Sequence, residues 1–204
     1  MKTPAWDRGI SRRSWLLAGI TAPLFSARAA DSLNVRYDGD VLHVAPPNVH
    51  FLAGKPLERL KDGAAVAYVG QLDLLNEARV SVRQQRTRFV VSYALWEEKF
   101  SVTQLGRTPH TVDGLSISAT EAWCFESLAL STMGVPADRY FWLRFELRTG
   151  GPRDLEEDAA MGISIKDLID RLGRRNQAEI HWGPLETRVR LADLPRMAGR
   201  GSKA

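Results

Sequence analysis

Alternation of apolar and polar side chains, repeated along the chain, is the feature that most constrains the fold. It is clearest in residues 141–148, FWLRFELR, where Phe or Leu occupies every second position. Residues two apart in a β-strand share one face, so this period indicates a strand buried on one side. Similar patterns predict a hairpin at residues 33–45 and strands at 64–75, 79–96, 99–105 and 185–191.

Helical signals are fewer than strand signals. A capping box, Ser118-Ala119-Thr120-Glu121, predicts a helix that runs to about Thr132. A second helix is predicted where Ile165, Leu168, Ile169 and Leu172 recur at i, i+3, i+4 and i+7. Because helices are not inserted regularly between the strands, the pattern predicts a mainly β fold, a β-sandwich or an antiparallel sheet with two short helices. This is a β-rich α+β class.

Residues 79–96 contain a change of phase. Val80 and Val82 occupy even positions, whereas Phe89, Val91 and Tyr93 occupy odd ones. A shift by one residue moves the apolar side chains to the other face of a strand. We therefore expect a β-bulge or a tight turn near residues 84–88, where the sequence is wholly polar.

The first 29 residues have the organisation of an export signal. Residues 11–17, SRRSWLL, resemble the twin-arginine signal of bacteria, and Ala27-Arg28-Ala29 reads as a cleavage site. The apolar run at 15–25 is too short to span a bilayer, which takes about 20 residues. We expect a signal peptide at 1–29, of the twin-arginine or the Sec type, and a periplasmic protein. An uncleaved signal would tether it to the membrane.

The charge balance depends on that leader. The whole chain has a formal net charge of +4, but residues 1–29 hold five basic residues and one acidic residue. The remainder carries 23 residues of each sign and is formally neutral. The basic charge of the whole chain is therefore no argument for a nucleic-acid partner, and none is expected. We expect a single β-rich domain at 30–195, without a transmembrane segment, and a disordered basic tail at 196–204.

Residues with catalytic or metal-binding chemistry form no recognisable motif. His43, His50, His110 and His181 lack the spacing of a metal site, and Cys124 has no second cysteine to form a C-x-x-C motif. We expect Cys124 to be a buried small apolar side chain on a helix. No residue is assigned as catalytic, cofactor-binding or metal-ligating, and no cofactor is expected.

Two sets of side chains have alternative interpretations. The cluster Arg83, Arg86 and Arg88 could contact an anionic surface weakly, but arginines on an exposed sheet face also discourage edge pairing, and this interpretation is preferred. Three tryptophans could line a pocket, but we expect them to fill the core between sheet and helix; they are Trp123, Trp142 and Trp182.

A family resemblance rests on four segments: PLERLKDGAAVAYVGQLDLL, RFVVSYALWEEKFSVTQLG, SISATEAWCFESLALSTMG and RYFWLRFELR. In this order they resemble the domain-of-unknown-function family 4390, a family of exported bacterial proteins. The resemblance covers most of residues 33–191. It implies an exported domain, no established enzymatic activity and no catalytic residues.

These observations favour a non-enzymatic binding or accessory protein of the cell envelope, whose partner is an envelope protein or a small ligand. Two alternatives stay open. One is a periplasmic hydrolase with a site assembled across strands, which requires histidines and carboxylates to converge in a cleft. The other is a peripheral membrane protein that uses the arginine cluster or the basic tail.

Overall fold

The computed structural model describes residues 33–151, 154 and 179–195. The predicted signal peptide at 1–29, the predicted helix at 165–172 and the predicted tail at 196–204 lie outside these residues. The described part forms strands β1 to β9, helices α1 and α2, and a short 3-10 helix at Leu191–Asp193. The bounds are β1 Asn34–Tyr37, β2 Val41–Ala45, α1 Lys55–Lys61, β3 Val66–Leu75, β4 Ser81–Ala94, β5 Lys99–Leu105, β6 His110–Leu115, α2 Ile117–Glu126, β7 Ala129–Ser131, β8 Tyr140–Thr149 and β9 His181–Arg190.

The strands form two antiparallel sheets, which confirms the predicted fold class. One sheet has the order β1-β2-β7 and the other the order β6-β5-β4-β3-β8-β9. Strand β7 reaches the first hairpin from far along the chain, and Thr132 just after it donates both its backbone N–H and its hydroxyl to the carbonyl oxygen of Asp40. Strands β6 and β7 were not predicted, because their sequences contain no sufficiently long alternation of apolar and polar residues.

The core lies on the inner face of the six-stranded sheet. Alternate side chains of β3, β4, β5 and β8 are buried there, as the period-two pattern predicts. The three-stranded sheet and both helices supply the other side of the same cluster, so the two sheets share one core. Fully buried examples from these different elements are Leu42, Leu60, Tyr68, Leu72, Phe89, Leu130 and Phe145.

The phase change in β4 comes from a bulge at Val82. Leu74 pairs with Arg83 and Leu75 with Ser81, so Val82 is the extra residue opposite the end of β3. The register then continues without interruption through residues 84–88, and the predicted position of the bulge was therefore wrong. The polar run is not a turn. It is the part of one 14-residue strand that extends beyond β5, since β5 pairs only with Arg88 to Ala94.

Helix α2 begins and ends earlier than the capping box predicts. Ser116 is the N-cap, and its side-chain oxygen accepts from the backbone N–H of Ala119 at 3.3 Å. Ser118 lies within the first turn, so Glu121 is free to bond elsewhere. The helix ends at Glu126 because Ala129 to Ser131 pair with β2 as strand β7. Within the described residues no helix is long and apolar enough to cross a membrane.

Candidate functional site

The four histidines do not converge within the described residues. His110 lies in β6 and His181 in β9, which are the two edges of the six-stranded sheet. Five interstrand steps of about 4.8 Å separate these edges. His43 lies in the other sheet, 3.6 Å from Asp38, and His181 lies 3.6 Å from Glu179. Each of these residues has its own neighbours, and the arrangement that a hydrolase site would require is not observed there.

His50 and Glu121 form the best-defined histidine–carboxylate pair. Nδ1 of His50 lies 3.1 Å from Oε2 of Glu121, and the other carboxylate oxygen accepts from the backbone N–H of Leu52 at 2.9 Å. The Glu121 side chain is only 8% exposed, whereas that of His50 is 75% exposed. Glu121 therefore attaches the segment before α1 to helix α2, and we assign this contact a role in stability.

Cys124 lies one turn after Glu121 and is buried. Its side chain belongs to the core, as predicted from the sequence. Burial raises the pKa of the Cys124 thiol well above its usual value, and the nearby Glu121 carboxylate adds to the effect. A nucleophilic cysteine requires a thiolate at neutral pH, so the environment of Cys124 favours a packing role.

The three tryptophans divide between the two faces of the large sheet. Trp123 and Trp182 pack against the core, as predicted. Trp142 projects from the outer face instead, where the guanidinium carbon of Arg79 lies 3.9 Å from its ring centroid. Arg79 also bonds Glu186, which accepts from Nε of Arg144 at 2.7 Å. The outer face thus carries a network of stacked arginines and carboxylates.

The arginine cluster is divided by the alternation of β4. Arg86 and Arg88 share one face, and Arg83 lies on the other. Arg83 donates through Nη2 to the carbonyl oxygen of Met133 at 3.0 Å, and Arg88 donates through Nη1 to that of Asp154 at 2.6 Å. Because residues 81–87 extend beyond β5, Arg83 and Arg86 lie on an exposed strand edge, which is compatible with protection against edge pairing.

A groove of about 560 Å³ lies at the end of the large sheet, where β3 turns into β4 and β8 begins. We call it the sheet-end groove. Its volume is in the range of sites that hold small ligands, about 300–1,000 Å³. The lining combines apolar surface with a few polar groups; its residues are Asn76, Glu77, Ala78, Val82, Pro136, Arg139, Tyr140 and Phe141.

Two features of the sequence produce this groove. The bulge turns Val82 out of the regular ladder, and bulges commonly re-aim a side chain in this way. The 134–139 segment, GVPADR, brings Pro136 and Arg139 to the start of β8. The site could not be predicted from the sequence because its residues come from two stretches far apart in the chain, 76–82 and 136–141. The phase change at Val82 was the one available signal.

Most charged side chains around the sheet-end groove are paired, Arg188 with Glu77 and Arg190 with Asp193. Arg139 is exposed and has no hydrogen bond or ion pair with any described residue. Tyr140 is partly exposed, and the guanidinium carbons of Arg188 and Arg190 lie 4.2 Å and 5.3 Å from the centroid of its ring. The carboxylate in the lining, Glu77, accepts from Arg188 at 2.6 Å and is therefore neutralised. A ligand with an apolar part and an anionic group would match this lining.

No metal site is found in the described part of the chain, where no group of three or more His, Cys, Asp or Glu side chains is arranged to hold an ion.

No protein-family model, no curated protein and no solved structure matches the chain. The resemblance to family 4390 therefore stays an expectation from the sequence.

Proposed function

We propose that the chain is an exported, non-enzymatic binding or accessory domain of the bacterial cell envelope, and that the sheet-end groove is its binding surface. The observation that carries the binding role is the position of Arg139, an exposed cation without a described partner, beside the partly exposed ring of Tyr140. The signal-like segment at 11–29 and the resemblance to an exported family support the location.

The groove selects its ligand by two physical effects. Val82, Pro136 and the Tyr140 ring offer apolar area, whose removal from water is worth about 25 cal/mol per Å². Arg139 then favours a carboxylate, sulfonate or phosphate at the rim over a neutral group, since charge-assisted hydrogen bonds are the stronger ones. The proposed ligand is an amphipathic anion, either a small molecule or an acidic apolar segment of an envelope protein.

Binding is tested with anilinonaphthalene sulfonate, an aromatic anion that fluoresces in apolar sites. The wild-type protein should enhance its fluorescence, and Arg139→Glu should abolish most of the enhancement. Arg107→Glu is the matched control, because Arg107 is also exposed but lies in the turn between β5 and β6. Equal binding by all three proteins would place the probe elsewhere and refute the proposed site.

Export is tested separately. Replacing Arg12 and Arg13 by lysine should leave the protein in the cytoplasm at its full mass, because the twin-arginine route depends on that pair. The intact mass of wild-type protein from the envelope fraction should correspond to a chain that begins at Ala30 or Asp31. Unchanged export of the double-lysine variant would assign it to the Sec route, and a cytoplasmic wild-type protein would refute the periplasmic proposal.

A further inference from the structure

The hairpin between β4 and β5 ends in an exposed aromatic tip. Residues 95–98, LWEE, form the turn, and we call them the hairpin tip. Trp96 is fully exposed at 101%, and Leu95 is 55% exposed. The two side chains form a small exposed apolar patch, and Trp is among the residue types enriched at the energetic centres of protein interfaces.

The hairpin tip is held in a defined conformation. Ala94 pairs with Lys99 on either side of it, and Glu98 adopts a left-handed backbone conformation with φ of 52°. At its base the rings of Tyr93 and Phe100 lie 4.8 Å apart. A tip that is ordered before binding loses less conformational entropy when it docks.

Charge restricts what the hairpin tip can contact. Glu97 and Glu98 follow Trp96 in the chain, and neither has a hydrogen bond or an ion pair with a described residue. Two carboxylates beside the aromatic ring oppose contact with an anionic lipid surface. They favour an apolar recess beside an exposed cation, where opposite charges can meet.

The sheet-end groove has that chemistry. It offers Val82, Pro136 and Tyr140 as apolar surface and Arg139 as an exposed cation. The groove lies at the first residues of β4 and the hairpin tip follows the last, so a strand of 14 residues separates them. At about 3.3 Å per residue this is roughly 40 Å, so a tip cannot reach the groove of its own chain.

We propose that the hairpin tip of one copy docks Trp96 into the sheet-end groove of a second copy, with Glu97 or Glu98 beside Arg139. The inference rests on the proposed binding role of the groove, for which it supplies one occupant. The two surfaces are different, so the contact is heterologous. Successive copies therefore join head to tail, as an open chain or, where the rotation at each contact closes, as a ring.

Sedimentation velocity of the protein recovered from the envelope fraction tests this assembly. The weight-average sedimentation coefficient should rise with concentration above the value of the monomer. Trp96→Ala and Arg139→Glu should each be monomeric, whereas Arg107→Glu should assemble like wild type. A monomer at every concentration, or assembly that survives Trp96→Ala, would overturn the proposal.

Mixing the two variants gives a sharper test. Trp96→Ala keeps an intact groove and Arg139→Glu keeps an intact tip, so an equimolar mixture should form a one-to-one complex that cannot grow. Adding Glu97→Arg and Glu98→Arg to Arg139→Glu should restore assembly by exchanging the charges. Failure of both the mixture and the exchange would show that tip and groove do not contact each other.

Two further measurements separate this inference from the proposed function. Anilinonaphthalene sulfonate binding to Trp96→Ala reports on the groove alone, so a monomeric wild-type protein that still binds the probe refutes the assembly and keeps the binding role. Co-sedimentation with vesicles of phosphatidylglycerol that is lost in Trp96→Ala would assign the tip to a membrane and overturn the assembly.

Discussion

Gly70 of β3 faces Leu128, the residue before β7, so closely that a Cβ added to the glycine would lie 2.7 Å from Cδ2 of Leu128. Leu128 is fully buried and has little room to move. Gly70→Ala should therefore lower the free energy of unfolding by about 1–3 kcal/mol through overpacking. Urea denaturation measures the change.

A double-mutant cycle identifies the cause. Leu128→Ala alone should be destabilising because it leaves a cavity, but in that background Gly70→Ala should cost much less, since its Cβ then has space. If the cost of Gly70→Ala is the same in both backgrounds, the contact with Leu128 is not its source.

Glu121 stabilises the segment before α1 through the buried N–H of Leu52. Glu121→Ala removes that acceptor and should cost about 1–3 kcal/mol of unfolding free energy. Glu121→Gln keeps an acceptor oxygen in the same position and should cost less. Urea denaturation compares the two with Glu97→Ala, an exposed control expected to change stability by at most about 0.5 kcal/mol. Equal losses in both Glu121 variants would contradict the hydrogen-bond explanation.

Cys124 should be unreactive in the folded protein. The thiol is 1% exposed, and burial raises its pKa, so little thiolate is accessible near pH 8. An Ellman assay should detect no rapid reaction in buffer and one thiol per chain in denaturant, since the sequence holds one cysteine. Immediate stoichiometric reaction in buffer would show that the α2 region is open in solution.

The contribution of Glu186 on the outer face to folding stability depends on pH. Hydrogen bonds from Arg79 and then Arg144 hold the pKa of the Glu186 carboxyl below its ordinary value of 4.5. A group whose pKa is lower in the folded protein stabilises it above the unfolded pKa, and this contribution is lost as the pH falls through the folded pKa. Glu186→Gln should therefore destabilise at pH 7, by about 0.2–1 kcal/mol, and have less effect below pH 4.5.

The check is a pair of urea titrations at neutral and acidic pH for wild type and Glu186→Gln. Glu97→Gln is the control, because Glu97 is exposed and has no hydrogen bond or ion pair with a described residue. A Glu186→Gln effect that is as large at the acidic pH as at the neutral one would contradict the role assigned to Arg79 and Arg144.

Local patterns of apolar and polar residues were sufficient to predict the positions of most strands. In β8 the alternating run from Phe141 to Leu147 is matched by alternating burial, so its position could be predicted from the sequence. Strand β7 could not be, because Ala129 to Ser131 are too short to show a period and are extended only through pairing with β2. Glu121 was misassigned for a similar reason, since its partners His50 and Leu52 are distant in the chain.

The candidate site was less accessible to prediction than the fold. The phase change at β4 was detectable from valine positions, but the polar residues that follow Val82 suggested a location a few residues later. Pro136 and Arg139 had no signal of their own, because a loop residue gains its role from what the fold places beside it. Trp96 was read as part of a strand, and its exposure is visible only once the turn is located.

Thr132, whose backbone and side chain both bond the carbonyl oxygen of Asp40, lies 92 residues from it along the chain. The β1–β2 hairpin is therefore synthesised long before β7, its third strand. Until then the apolar side chains of Leu42 and Val44 lack part of the cover they have in the native core. Contacts between such distant residues slow folding and expose strand edges in the meantime. The three-stranded sheet therefore cannot be completed before the chain has been synthesised as far as β7.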